Sequence, residues 1–364
     1  MPQYTSPGVF IEEVDAGAHP IEGVSTDVAA LIGIASTGPW TPIPITSLLQ
    51  YEQTYGVAAL SLDIGLAVSG FFQNGGRRCY VLHVQSSQTA AQALAPLDVV
   101  DDISLLSCPD EHSIQGMTAA LVAHCEAHRN RVALLAAVLG SNYANDPPPE
   151  AQSEFAAFYA PWVLATNPAG GPALPLHPGG HIAGAIAAND VNHGVWRAPA
   201  NIPLMGITGL TQQFTAQQVS ALNAQGVNVL RNLPSLGNRI WGARTTSSDP
   251  EWKYVNVRRL LIYIEQSFER GLQWAVFEPN GEVLWATVRQ TVENFLLTMY
   301  QQGALQGTTP KQAFFVRCDL TTMTQTDVDN GQLNCLVGVA ALQPAEFVIF
   351  QISILTSNGG QPPH

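Results

Sequence analysis

The chain has 364 residues, of which 46% are hydrophobic and only 12% charged, about half the ~25% charged share usual for globular proteins. Its net charge of −13 excludes a phosphate-backbone binder, which needs basic patches, and no apolar run approaches the ~18–20 residues of a membrane span. The length allows two or three domains and a large core.

The positive residues are 13 Arg against Lys253 and Lys311. Protein interfaces enrich Arg and deplete Lys, because guanidinium is planar and less strongly hydrated. Low charge and few lysines together predict a surface buried in an assembly. Five scattered cysteines without C-x-x-C spacing read as small buried hydrophobes in a reducing compartment. The opening MPQYTSPGVF is not a secretory leader.

The first element expected is a short strand in SPGVFIEEV, entered through Ser6-Pro7-Gly8 and lacking an adjacent hairpin partner. Val28–Ser36 reads as a strand, followed by a Pro/Gly-rich loop. Ile64, Ala67, Val68, Phe71 and Phe72 fall at helical spacing, and Asn74-Gly75-Gly76 supplies a stop. Cys79–Val84 is the next strand. In the middle third, Ile103–Pro109 is a buried strand, Ile114, Met117, Leu121 and Cys125 form a helical stripe, and Arg131–Leu139 is a second strand. That β-α-β order predicts a parallel pair with a right-handed crossover. Residues 167–181, rich in Gly and Pro, read as a long exposed loop, and Gly226–Leu233 as a strand.

In the last third, Asp249-Pro250 predicts a helix start running into YVNVRRLLIYIEQSF. WAVFEPNG reads as a short strand and turn. Leu284, Val288, Val292, Phe295 and Met299 form the stripe of a second helix, stopped by Gly303. AFFVRCD and LNCLVGVAAL are strands, and PAEFVIFQISIL closes the chain with Val348, Phe350, Ile352 and Ile354 alternating on one face. A long apolar terminal edge without charge after Glu346 is an aggregation hazard unless something covers it.

Candidate chemistry is sparse. GGHIAGAIAAND, from Gly179, resembles the histidine box of subtilisin-like proteases, but aligning on His181 puts Pro178 where the catalytic base belongs, and His177 misses the register by one. The nucleophile box G-T-S is absent, so no catalytic residue is named. His177 and His181, read as loop histidines, are a poor metal pair with Pro178-Gly179-Gly180 between them. Gly75-Gly76-Arg77-Arg78 reads as a helix cap and strand entry rather than an anion loop. Arg258-Arg259, among Glu251, Glu265 and Glu269, suggests ion pairs, with a neighbouring subunit as one source of partners. Asp327 and Asp329 fit a calcium loop only loosely and lack its later Glu. Neither a cofactor nor a metal is expected.

The joint pattern of PGVFIEE, FFQNGGRRCYVLHV, VWRAPAN, WGART, FEPN and PAEFVIF resembles the contractile tail sheath proteins of myophages, R-type pyocins and phage-tail-like injection systems, over nearly the whole chain. The resemblance implies an α/β and α+β fold: a core sheath domain built from both chain ends with exchanged terminal strands, and an inserted subtilisin-like α/β domain lacking a catalytic triad. Carried onto this sequence, residues 1–20 form an N-terminal arm, 21–95 and 241–345 the core, 96–240 the insertion, and 346–364 the C-terminal arm and tail. The arm residues are Val9, Phe10, Ile11, Phe347, Val348, Phe350, Ile352 and Ile354. The candidates for contact with an inner tube are Leu284, Val288 and Val292 on the helix, or Asp327 and Asp329 near Thr324–Gly331. The resemblance further implies a non-enzymatic subunit polymerising with six-fold helical symmetry around a tube. Its partners would be further copies, the tube protein, baseplate and terminator proteins and related sheath subunits. It would be assembled in the bacterial cytoplasm, without nucleic-acid binding or membrane insertion. The competing readings are an active subtilisin-like hydrolase and a non-contractile tube or capsid subunit.

Overall fold

A computed structural model describes residues 19–56, 63–85, 87–141, 152–167 and 170–346. The first part of the fold is a nine-stranded sheet whose middle is parallel. Its strands are β1 (Ala29–Gly33), β2 (Ile43–Ile45), β3 (Cys79–His83), β4 (Leu105–Ser107), β5 (Val132–Ala136) and β6 (Ala156–Ala160), with β9, β11 and β12 from further along. The order is β2-β3-β1-β4-β5-β6-β11-β12-β9. In β1 every residue is buried, and alternate side chains enter opposite cores: Ala30 and Ile32 one, Ala29 and Leu31 the other. A strand covered on both faces has to be apolar throughout, which is why AALIG shows no period-2 polarity.

Helices α1 (Leu48–Tyr55) and α2 (Asp63–Gln73) cover one face together with α5. The opposite face takes α3 (Ala90–Leu94), α4 (Met117–His128) and α6. Strands β7 (Val163–Ala165) and β8 (Leu174–Leu176) join the later β10 in a small antiparallel sheet of three. Then come α5 (Gly179–His193), β9 (Ile202–Pro203), β10 (Ile207–Leu210), α6 (Ala216–Ala224) and the hairpin of β11 (Val227–Leu233) and β12 (Gly237–Ile240).

The second part is built on α7 (Val255–Gly271) and α8 (Glu282–Gln301), with α9 (Pro310–Ala313), β13 (Phe314–Arg317), α10 (Gln325–Asp329) and β14 (Leu336–Val339). It has its own core, to which α7 gives Leu260 and Ile264 and α8 gives Leu284, Trp285, Val288, Val292, Leu296 and Met299. Helix α7 also sends Val255 and Ile262 into the two cores of the sheet part, so it ties the halves together.

The predicted β-α-β unit is present: β4 and β5 are parallel and joined through α4. The Gly75–Arg78 segment is the helix stop and strand entry expected, since α2 ends at Gln73 and β3 begins at Cys79. Several expectations are corrected. Residues 273–275 form a 3-10 turn rather than a strand, in the short link between α7 and α8. Asp249-Pro250 starts a 3-10 turn, Pro250–Trp252, and α7 begins later, at Val255. Ile114 is buried in the turn before α4, not on it. The supposed exposed loop 167–181 contains β8 and the buried first turn of α5. The sheet runs without a break across position 95/96, where the sequence reading set the edge of an inserted domain: β1, β2 and β3 are strands of the same layer as β4 to β6. The arm residues Val9, Phe10, Ile11, Phe347, Val348, Phe350, Ile352 and Ile354 lie outside the described residues.

Candidate functional site

In an open α/β sheet the ligand site forms where strand order reverses, outside the C-terminal ends of the strands. Here that point lies between β1 and β4, since β3 and β4 flank β1 on opposite sides. It is filled by protein. Asp110 Oδ2 accepts the N–H of Ile34 at 2.8 Å, sealing the end of β1. Glu111 Oε1 accepts the N–H of Ala136 at 2.8 Å and His177 Nε2–H at 3.0 Å. His177 Nδ1 in turn accepts the N–H of Gly179 at 3.1 Å, which fixes the tautomer and starts α5. Ser107, at the end of β4, is packed against Gly179 and His177.

A serine, a histidine and a carboxylate therefore come together, but not as a catalytic set. A general base must offer its lone pair to the serine while the acid orients its other nitrogen. His177 spends that lone pair on a backbone N–H, and Ser107, Glu111 and His177 are 1%, 2% and 0% exposed. Glu111 and His177 form a strut between the end of β5 and the first turn of α5, while the buried Ser107 Oγ has no hydrogen-bond partner. His181, read from the sequence as a loop residue, is instead buried on α5 against Gly70 of α2, and burial pushes its imidazole pKa down to about 4. Small residues recur in this segment for packing reasons: a Cβ at Gly180 would lie 2.3 Å from Ala67 O, and one at Gly184 2.2 Å from Phe71 O. The small residues that suggested a protease box are the contact surface of two touching helices.

Sequence reading missed one group with metal-ligand chemistry. Asp98, His124 and His128 bring ligand atoms within 4.8 Å of one another, the histidines one turn apart on α4. Arg131 Nη1, however, donates to His124 Nε2 at 3.1 Å, which puts that ring's proton on Nδ1, facing Asp98. The cluster is already satisfied by hydrogen bonds.

The surfaces where the chain ends leave the body are more informative. At the C-terminal side, Glu346 is held by Arg244 through Nε at 2.8 Å and Nη2 at 2.6 Å, with Lys253 Nζ at 3.4 Å. Arg244 also donates to Asn223 O at 2.7 Å, and both backbone polar groups of Arg244 are bonded to the Asn228 amide. Burial alone would raise the Glu346 pKa; the Arg244 hydrogen bonds and charge, with Lys253, outweigh it and hold it below the usual carboxylate range. At the N-terminal side, His19 stacks on Trp274 with centroids 4.3 Å apart, and Val24 N donates to Ser267 Oγ at 3.2 Å. His19, Val24 and Glu346, near the two limits of the described residues, are thus pinned to the body, each beside α7 or the turn that precedes or follows it.

The remaining expectations fall as follows. Leu284, Val288 and Val292 are buried in the chain's own core, the apolar stripe of α8 facing inward. Asp327 is spent as the N3 member of the capping box of α10, whereas Asp329 is exposed. Arg258 and Arg259 find partners within the chain, which corrects the suggestion of pairs between subunits. Arg258 meets Glu265 at 2.8 Å and Glu154 at 3.5 Å, and Arg259 meets Asp190 at 2.7 Å. Exposed apolar side chains cluster instead on the turn before α8 and on its first residues: Val276, Phe277 and Val283, with Phe277 fully exposed at φ 70°.

Comparison with known proteins supplies the context. The phage tail sheath protein central domain matches residues 86–246, and the phage tail sheath C-terminal domain matches residues 247–354. A putative prophage major tail sheath protein of Pseudomonas aeruginosa (strain UCBPP-PA14) is 22% identical over 382 residues, covering 95% of this chain and 96% of the relative. The helical sheath of the anti-feeding prophage in its contracted state is 32% identical, with 96% of this chain and 99% of that one aligned at a TM-score of 0.84. The sheath of an extracellular contractile injection system, PVC, also contracted, is 29% identical over 97% of this chain and 98% of its own, with a TM-score of 0.81. These relatives are structural proteins. With matching sheath domains on both parts of its fold, the chain belongs to the phage tail sheath family and is a structural subunit of a contractile tail sheath.

Proposed function

We propose that the chain polymerises as a six-fold helical cylinder around an inner tube and shortens to drive the tube through a target envelope. Its partners are further copies of itself, the tube protein, baseplate and terminator proteins, and related sheath subunits where a particle has them; assembly takes place in the bacterial cytoplasm. The second part of the fold, with the chain ends, is the core domain next to the tube, and the sheet part is an outward-facing, subtilisin-like domain without catalytic function. The buried Glu111–His177 strut supports that last reading, since it occupies the place where such a fold would carry its chemistry.

The observation that carries the assembly model is the β13–β14 sheet. Among the described residues these two strands form a sheet of two, paired only with each other. An isolated pair is marginal in water and invites further strands. The arms at 4–14 and 346–355 have strand patterning and leave from pinned roots. Arms exchanged between neighbours would complete this sheet, giving backbone hydrogen bonds and pockets for alternate side chains. Burying Val348, Phe350, Ile352 and Ile354 yields roughly 6–12 kcal/mol gross at ~1.5–3 each. Association costs of ~4–15 kcal/mol offset much of it, so several contacts per subunit must act together.

Negative-stain microscopy of the expressed chain with its tube protein tests this: helical cylinders are expected, with long and short forms. Ile352→Asp should leave dispersed subunits. A wild-type chain that stays monomeric at high concentration overturns the proposal, and cylinders that never shorten favour a non-contractile tube or capsid role.

A further inference from the structure

Two of the free cysteines meet. Strands β13 and β14 pair with Arg317 opposite Leu336, so the next step of the ladder brings Cys318 opposite Cys335. The two thiols face one another across the strand pair. Directly opposed residues on antiparallel strands have Cα atoms about 4.5–5.5 Å apart, inside the ~4.4–6.8 Å that a disulfide spans. Cys318 is buried and Cys335 half-buried, so a solute reaches Cys335 first. Cys79, Cys108 and Cys125 are by contrast fully enclosed in the sheet part.

The pair also brackets the excursion 319–334, which carries α10. Besides core packing by Met323, Val328 and Leu333, that excursion is tied by Asn280 Nδ2, donating to Val328 O at 3.3 Å and Gln332 O at 3.0 Å, and by Thr322 Oγ1, donating to Asn334 O at 2.7 Å.

We propose that Cys318 and Cys335 are a reversible oxidation site, converted by a low-molecular-weight disulfide into a cross-strand bond that closes the excursion at its base. The Cys335 thiolate attacks one sulfur of the small disulfide, breaking its S–S bond and expelling a thiolate that takes up a proton. Cys318, giving up its proton to solvent, then attacks the Cys335 sulfur of the mixed disulfide and expels the second small thiolate, which is protonated in turn. Two protein thiols are oxidised and the small disulfide is reduced to two thiols. Burial pushes both thiols up, Cys335 to about 12; the charged groups that face them are Arg289 and Glu293 of α8 and Asp319. Little thiolate is present near neutral pH, so oxidation is slow there and accelerates by about tenfold per pH unit as the thiolate fraction rises.

The test treats the full chain with oxidised glutathione between about pH 7 and 9, alkylates what remains, and cleaves at aspartate. Asp319, Asp327 and Asp329 lie between the two cysteines, so their peptides separate unless bridged. The expected result is one bridged pair joining Cys318 to Cys335, a loss of two alkylatable thiols and full reversal by reductant. Cys318→Ser should instead retain a glutathione adduct on Cys335, and the milder Cys335→Ser should leave Cys318 unmodified. A lasting adduct on wild-type Cys335, unreacted thiols at the highest pH, or bridges to Cys79, Cys108 or Cys125 would each overturn the assignment.

Discussion

At Gly180 and Gly184 the missing side chains let the backbone of α2 touch α5, and two opposing effects can be compared there. Alanine is about 1 kcal/mol better than glycine inside a helix, so Gly184→Ala would stabilise an exposed helix. Here its methyl would sit 2.2 Å from Phe71 O, and because the obstacle is backbone, the helices must separate. Overpacking of this kind costs about 1–3 kcal/mol, and a net loss of up to about 2 kcal/mol is expected in urea unfolding of the dispersed subunit. His181, beside the same contact, sets a pH dependence. Its folded pKa of about 4 lies below the ordinary 6.5, so between these values the unfolded chain holds a proton that the folded one does not. Stability is then complete above pH 6.5 and falls toward pH 4, by about 3 kcal/mol for this residue. His181→Leu should flatten that slope, as read from urea midpoints across the window. The Arg259–Asp190 pair is buried on both sides, 3% and 2% exposed. Removing one partner leaves the other charge unpaired, so Arg259→Met should cost about 3–5 kcal/mol, and adding Asp190→Leu should recover part of it.

At the scale of elements, the Glu346 clamp fixes the last described residue, at the root of the proposed C-terminal arm. Arg244→Met should leave the body folded but free the arm root. If the clamp sets the arm's direction, the concentration needed for polymerisation should rise about tenfold, the equivalent of one ~1.4 kcal/mol charge-assisted interaction. Unchanged assembly would show that the arm finds its partner unaided. The elements themselves were mostly legible: Val28–Ser36, Cys79–Val84 and Gly226–Leu233 each contain a strand, because fully covered strands are apolar runs bounded by turn residues. The first turn of α5 was hidden, because glycine and proline there read as a loop until α2 is laid against it. The 3-10 turn at 273–275 was misread as a strand because short apolar runs carry no decisive period. Neither the Glu111–His177 strut nor the Cys318–Cys335 pair could be found from spacing, since each joins residues brought together only by tertiary pairing. The burial partner of the α8 stripe was hidden for a related reason: an amphipathic helix announces that one face is buried, not against what.

For the whole molecule, the sign of the charge predicts how assembly responds to salt. Each subunit carries −13 and only 12% charged residues, and its Arg258 and Arg259 are spent on internal partners. The exposed Val276, Phe277 and Val283 point to apolar rather than ionic lattice contacts. Bringing like-charged subunits together is opposed by a repulsion that salt screens, while apolar burial is little affected by moderate salt. Polymerisation should therefore be favoured by ionic strength: the concentration of free subunit in equilibrium with sheath should fall several-fold between about 0.02 M and 0.3 M salt, as the Debye length shrinks from roughly 20 Å to 6 Å. A sheath held mainly by ion pairs between neighbours would respond in the opposite direction, with free subunit rising as salt is added. Sedimentation of assembled from free chain across that range separates the two. A rise would shift the weight of assembly from the apolar turn before α8 to charged groups such as Asp329 that remain exposed on α10.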